Sequence, residues 1–309
     1  MNKSMKWVGG VLATLGALGF YVSERLIHMP KKSAKYLWER ETDDGFITPE
    51  SFERLPKTTR TLVSPFGYDL YVQAVEFHPA SKRWVILSHG VRESSVAMVK
   101  YMNLFVKRGY NAVLYDHRRH GDSGGKTISY GYFEKEDLQC VVDWLFDTYG
   151  NDLYFGLFGE SMGAVTTLLY AGELEDRAQF YIVDCPFSAL SDQVALQLKR
   201  ELRFPKFTLH YFDWFVRMRG RFSMRDVSPL QVVGHIQNPV LFIHSEHDDF
   251  IPVSMTRALY EKKQGAKSLF IAPHGGHAES FVYNQEAYKT AVNEFLDEVE
   301  EKSSIPLQT

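Results

Sequence analysis

Cysteine is nearly absent. Cys140 and Cys185 are the two in 309 residues, too few for a disulfide framework and not at metal-ligand spacing, so both read as buried free thiols. An excess of either charge is absent as well: 35 Lys and Arg stand against 38 Asp and Glu, a net charge of −3, and no basic field marks nucleic acid as a partner. Internal repeats and low-complexity tracts are missing. The apolar stretch near the N-terminus, Trp7–Val22, stops at 16 residues, short of the roughly 20 that a spanning helix needs.

What is present is an ordinary globular composition, 45% hydrophobic and 24% charged. About 270 residues follow the N-terminal segment, enough for one large α/β domain. In that segment Lys3 and Lys6 precede the apolar stretch, Ser23-Glu24-Arg25 ends it, and Lys31, Lys32 and Lys35 follow. The length fits the apolar core of a signal sequence, and no small-x-small cleavage site precedes the charges. Residues 1–25 therefore read first as an uncleaved signal anchor, second as a cleaved signal peptide and third as a packed helix. An anchor would tie the protein to the cell membrane, with the catalytic body outside if the N-terminus stays inside; cleavage would make it secreted. Positive charge on both flanks leaves the membrane side open.

Residues 26–60 are polar and aperiodic, a linker with short helical pieces. Thr61–Pro65 and Tyr68–Phe77 then read as a hairpin turning at Phe66-Gly67. Beyond it apolar strands alternate with helices. Strands are expected at Trp84–Leu87, Asn111–Tyr115, Leu153–Phe158, Phe180–Val183, Val240–Ile243 and Ser268–Ile271. Helices are expected at Val96–Arg108, Lys135–Tyr149, Met162–Leu174, Met255–Lys263 and Gln285–Val299. This alternation predicts a mostly parallel sheet covered on both faces, an α/β domain over residues 61–301. The stretch 186–229 breaks the rhythm. It has no buried-strand pattern and is rich in aromatics such as Phe187, Phe212 and Trp214 and in Lys and Arg. A small helical cap is expected there.

Gly159-Glu160-Ser161-Met162-Gly163 matches G-x-S-x-G between an apolar strand and a helix, the context in which that motif exposes a nucleophilic serine. A serine hydroxyl needs a base, and the base an orienting acid, following in the order Ser, Asp or Glu, His. His277, in the glycine-bearing loop Pro273–Glu279, is the favoured base, with His274 as rival. Asp248 is the favoured acid, with Asp249 and Asp184 as rivals. The oxyanion needs backbone N–H donors. Met162 follows the nucleophile and supplies one; Val91, after Ser88-His89-Gly90, supplies the other, with His89 bracing that loop. His117 and His120 in Tyr115–Gly125 have no partner cluster that would make a metal site, and a polar, hydrogen-bonded loop is expected.

Together these elements resemble the α/β-hydrolase superfamily, and within it the serine aminopeptidase and lysophospholipase-like branch. The chain is similar to N-terminally anchored hydrolases of Gram-positive bacteria. The likeness covers about residues 60–300. It rests on Ser88-His89-Gly90, Asp116-His117-Arg118-Arg119-His120-Gly121, the motif around Ser161, Asp248 four residues before Pro252, and His277. It implies an eight-stranded sheet with a cap after strand six, a triad of Ser161, Asp248 and His277, and no cofactor. Arg119 departs from it, standing where related chains often carry Gly, which predicts a differently shaped loop. Ser161 also argues against the haloalkane dehalogenases of the same fold, whose nucleophile is a carboxylate.

The expected reaction is hydrolysis of a carboxylic ester or related acyl bond, short-chain or lysophospholipid-like, through an acyl-enzyme. A serine peptidase is the enzyme alternative, and a catalytically silent, membrane-tethered binding protein the alternative of another class. The expected partners are a small-molecule or lipid-like acyl substrate and, through residues 1–25, a membrane. The fold hosts all of these activities and does not choose among them.

Overall fold

The computed structural model describes residues 3–302. Eight strands form one sheet: β1 (Lys57–Val63), β2 (Asp69–Val75), β3 (Arg83–Ser88), β4 (Asn111–Tyr115), β5 (Tyr154–Glu160), β6 (Phe180–Asp184), β7 (Val240–Ser245) and β8 (Lys267–Ala272). The helices are α1 (Lys3–Ile27), α2 (Ala34–Asp43), α3 (Pro49–Glu53), α4 (Val99–Val106), α5 (Glu134–Tyr149), α6 (Met162–Leu169), α7 (Leu190–Leu202), α8 (Leu209–Gly220), α9 (Pro229–Val232), α10 (Val253–Lys262), α11 (Ser280–Tyr283) and α12 (Gln285–Lys302).

The strand order is β1-β2-β4-β3-β5-β6-β7-β8. The hairpin expected at Phe66-Gly67 pairs β1 with β2 from Lys57↔Val75 to Val63↔Asp69, and β2 is also antiparallel to β4. The remaining pairings are parallel. β1 starts at Lys57 rather than at Thr61. Lys57-Thr58-Thr59-Arg60 lies on the sheet's edge with no residue fully buried, so no apolar alternation marks it as strand.

The inner strands are apolar on both sides because both faces are covered. Along β3, Trp84 and Ile86 enter one core while Val85 and Leu87 enter the other; β4 divides Val113 and Tyr115 from Ala112 and Leu114 in the same way. Leu138, Val142 and Leu145 of α5 and Leu168 of α6 close the first core, and Met102 and Phe105 of α4 with Val292 and Leu296 of α12 close the second. The parallel strands therefore end at one edge, where loops gather side chains from distant parts of the chain.

Between β6 and β7 the chain leaves the sheet for α7 and α8, inside the stretch read as a cap. The segment read as a linker holds α2 and α3, with Leu37, Glu41 and Phe52 buried. The largest departure is α1. Its residues were expected to be a signal anchor, yet the helix is docked on the cap: Val22 and Ile27 are buried in one cluster with Phe212 and Val216 of α8 and Leu190 and Val194 of α7. Among the described residues no helix is long and apolar enough to cross a membrane, so a spanning anchor has no support. Composition explains this, because the 16-residue stretch Trp7–Val22 includes Gly9, Gly10, Gly16 and Gly19. Residues 1–2 of the expected anchor lie outside the described residues.

Candidate active site

β5 ends at Glu160 and α6 begins at Met162, so Ser161 alone makes the turn between them. Its φ of 54° and ψ of −113° are strained for a residue with a Cβ. The turn is held by the Ser161 N–H, which donates to the Asp184 carbonyl at 2.8 Å. The flanking glycines permit it: a Cβ on Gly159 would fall 2.4 Å from the Gly163 oxygen, and one on Gly163 would fall 2.0 Å from the Ser88 oxygen.

His277 and Asp248 arrive from the loops after β8 and β7. Ser161 Oγ donates to His277 Nε2 at 2.8 Å, and His277 Nδ1 donates to Asp248 Oδ2 at 2.7 Å. A carboxylate only accepts, so Nδ1 carries the ring proton and Nε2 is left to accept from the serine. Burial opposes the charge of Asp248. Hydrogen bonds from His244, His277 and the Ile251 N–H outweigh it and hold the carboxyl well below the usual carboxylate range.

The rivals lie elsewhere. His274 is exposed, its backbone bonded to Asn284. Asp249 is exposed. Asp184 is fully buried beneath the serine turn, where it accepts from Ser280 Oγ and Tyr288 Oη at 3.1 Å each; burial, reinforced by the charge of Glu160, pushes its carboxyl up to about 6.

Val91, Ser161 and Met162 line one cleft of about 160 Å³, open to solvent at its outer end. The Met162 N–H, the first of α6, has no partner inside the helix. The Val91 N–H makes no backbone hydrogen bond among the described residues. The preceding residue lies against the serine, since a Cβ on Gly90 would meet Ser161 Cβ at 3.5 Å. His89 braces this loop: Nε2 accepts from the His117 N–H at 3.0 Å and Nδ1 donates to the Gly90 carbonyl at 2.7 Å. His120 Nε2 accepts from the Arg92 N–H at 2.9 Å. Burial lowers His89 to about 4 and His120 to about 3, keeping both rings neutral and able to accept. Among the described residues no group of three or more metal-ligating side chains converges.

Two features escaped the sequence. His244 Nε2 faces Asp248 Oδ2 at 3.1 Å and the Ile251 carbonyl at 2.9 Å, while Nδ1 is 2.7 Å from Thr256 Oγ1. It is a second imidazole on the same carboxylate, and no spacing sets it apart from other strand histidines. Behind the turn, Glu160 accepts from Tyr101 Oη at 2.6 Å and lies 3.5 Å from the buried Lys100 Nζ; Glu41 of α2 acts on the same lysine through space. Those groups come from three separate segments.

The family described as serine aminopeptidase, S33, matches residues 79–225. The uncharacterized protein YqkD of Bacillus subtilis (strain 168) is 44% identical over 305 residues, covering 98% of this chain and 100% of that one. Lysophosphatidylserine lipase ABHD12 of Danio rerio is 27% identical over 207 residues, 61% of this chain and 50% of the lipase, so the chain spans about half the length of that relative. Among solved structures, the Pyrococcus furiosus esterase Pf2001 superposes with a TM-score of 0.66 at 24% identity, over 82% of this chain and 96% of the esterase, a likeness of fold.

Proposed function

This chain belongs to the α/β-hydrolase superfamily, and we propose that it is a serine hydrolase cleaving carboxylic esters, short-chain or lysophospholipid-like, through an acyl-enzyme. The observation that carries this reading is the hydrogen-bonded line from Ser161 through His277 to Asp248, opening on an apolar cleft.

Ser161 Oγ attacks the acyl carbonyl while His277 Nε2 takes its proton. Asp248 keeps the imidazole in the required tautomer and stabilises the imidazolium. The Val91 and Met162 N–H groups receive the oxyanion, each lowering the barrier by about 3 kcal/mol. His277 then protonates the leaving alcohol as the C–O bond breaks. A water molecule, deprotonated by His277, attacks the acyl-enzyme and releases the acid and the serine.

The lysophospholipid variant draws support from the lipase relatives. It also fits the large apolar side chains that α1 and α8 leave exposed, Leu12, Phe20, Trp214 and Met218 among them, which suit contact with a lipid surface without spanning it. A peptidase is the second reading, favoured by the description of the matching family. An aminopeptidase needs an anion near the reacting carbonyl for the substrate ammonium, and the acidic residue lining this cleft, Glu201, is at the exposed end of α7.

The deciding experiment is fluorophosphonate labelling with turnover of p-nitrophenyl esters and aminoacyl p-nitroanilides, run on the full chain and on Ser161→Ala. Labelling and ester turnover that vanish in the variant are expected. Anilide turnover that exceeds ester turnover would make it a peptidase, and a folded chain that neither labels nor turns over would be a binding protein.

A further inference from the structure

We propose that the C-terminal half of α1 is part of the substrate site: together with α7 it walls a subsite for an unbranched acyl chain, and its residues set the accepted chain length. This rests on the serine-hydrolase reading above. The segment that looks like a targeting signal would then be a working part of the enzyme.

Two stripes line the cleft above Ser161. Val22, Leu26 and Met29 come from the end of α1 and just beyond; Leu190, Val194 and Leu198 come from α7. Both sets recur at spacings of three or four residues, the signature of one helical face. The cleft begins at the buried Ser161 and Met162 and reaches a rim where Arg25 and Glu201 are exposed. A slot between two apolar helices, closed at the reacting end and wet at the other, suits a straight chain better than a bulky or branched one.

The wall is fixed in place from two sides. On the cap side, Gly19 lets α1 close on α8: a Cβ there would fall 2.1 Å from the Phe215 ring. On the other side, loops next to the nucleophile hold the chain as it leaves α1. Tyr130 Oη donates to the Leu26 carbonyl at 3.0 Å and the Ile128 N–H to the Ile27 carbonyl at 2.9 Å. Arg119 donates to the His28 carbonyl at 3.1 Å. Arg119 has a φ of 60°, a left-handed conformation that favours glycine. Its guanidinium does what no glycine could, fastening the end of α1 to the loop after β4, which accounts for the departure from the related pattern at this position.

The test uses the whole chain, residues 1–309. Gly19→Leu drives α1 away from Phe215 without touching the hydrogen-bonded line at Ser161. Its kcat/KM for p-nitrophenyl decanoate relative to acetate is expected to fall about ten-fold, the worth of contact with about two methylenes, while fluorophosphonate labelling persists. Leu26→Trp fills the slot and is expected to move the optimum to shorter esters. Binding is read independently of turnover with cis-parinaric acid, a fluorescent straight-chain fatty acid, on Ser161→Ala; adding Leu26→Trp is expected to weaken it about ten-fold. An unchanged chain-length profile in folded Leu26→Trp, or parinaric acid binding that ignores it, overturns the proposal, and this arm stands even if Gly19→Leu does not fold. A wild-type chain that binds the fatty acid through Leu26 but never labels or hydrolyses would sink the hydrolase reading and leave the subsite standing.

Discussion

The floor and the walls of the active-site cleft are held by different forces. The floor is a mesh of directional bonds. Ser161, His277 and Asp248 each have at least one hydrogen-bond partner that fixes their orientation, and Asp248 has several. The walls, α1 and α7, present apolar stripes to the cleft and are joined to the body by packing and by polar ties spread along their length. Hydrogen bonds tolerate little displacement, whereas apolar contacts keep most of their value through small shifts. Such a division lets a reaction stay constant while the substrate changes, because the wall can be rebuilt without moving the floor.

The largest expected effect breaks the floor. In Asp248→Asn the amide presents a donor where His277 Nδ1–H needs an acceptor, so the imidazole turns or takes the wrong tautomer. A drop in kcat of about 10⁴-fold is expected for every ester, with the decanoate-to-acetate ratio unchanged. Steady-state kinetics on the two esters check both parts; a ratio that moves with kcat would mean floor and wall are one unit.

Next comes the charge beneath the floor. Lys100 is buried among the carboxylates of Glu160 and Glu41. Lys100→Met fits the volume but leaves the buried Glu160 carboxylate without its cation, and a loss of about 3–5 kcal/mol of stability is expected in urea unfolding. A neutral result would mean that Arg40, which pairs with both Glu41 and Glu93, carries the compensation instead.

How much of this was legible beforehand follows the same division. The turn at Ser161 is encoded in five consecutive residues whose glycines are required by close approach, so it reads directly. Asp248 and His277 read through their order after apolar strands, although geometry alone separates Asp248 from Asp249. The parallel strands read because burial on both faces leaves uninterrupted apolar runs, and β1 was placed late because its exposed edge carries no such pattern. The α1 wall did not read as a wall. The short, glycine-bearing stretch weighs against a span, but what α1 packs on, the Phe215 face of α8, lies almost 200 residues away and leaves no local pattern. The pairing of Lys100 with Glu160 and Glu41 joins three segments and leaves no local trace.

A smaller effect sharpens the electrostatic side of the floor. The folded carboxyl of Asp184 is raised to about 6 from a model-peptide value near 3.8. The folded state therefore holds this proton between about pH 4 and 6 where the unfolded state has released it. The contribution is fully present below pH 4 and is lost as pH rises through 6, on the order of 3 kcal/mol. Asp248, held low, has the opposite sign and weakens the fold only in stronger acid. Thermal melts of wild type and Asp184→Asn from pH 4 to 7 check this: the variant is expected to gain on the wild type as pH rises, and parallel melting curves would show that Asp184 does not titrate in that window.

The smallest effect probes the wall's polar ties. Arg219 bonds the Phe20 carbonyl at 3.0 Å and Ser23 Oγ at 2.7 Å, pairs with Glu24, and lies 3.9 Å from the Phe20 ring centre. Glu24 is largely solvated, so the ion pair itself is screened and contributes little. Arg219→Ala is expected to cost about 1 kcal/mol, a fall in Tm of about 2–4 °C, and the loss should depend only weakly on salt because most of it is packing and hydrogen bonding to neutral acceptors. A loss as large as that of Lys100→Met, vanishing in high salt, would show that charge rather than apolar contact holds α1 to the cap, and the contrast between floor and wall would have to be redrawn as one between buried and exposed ion pairs.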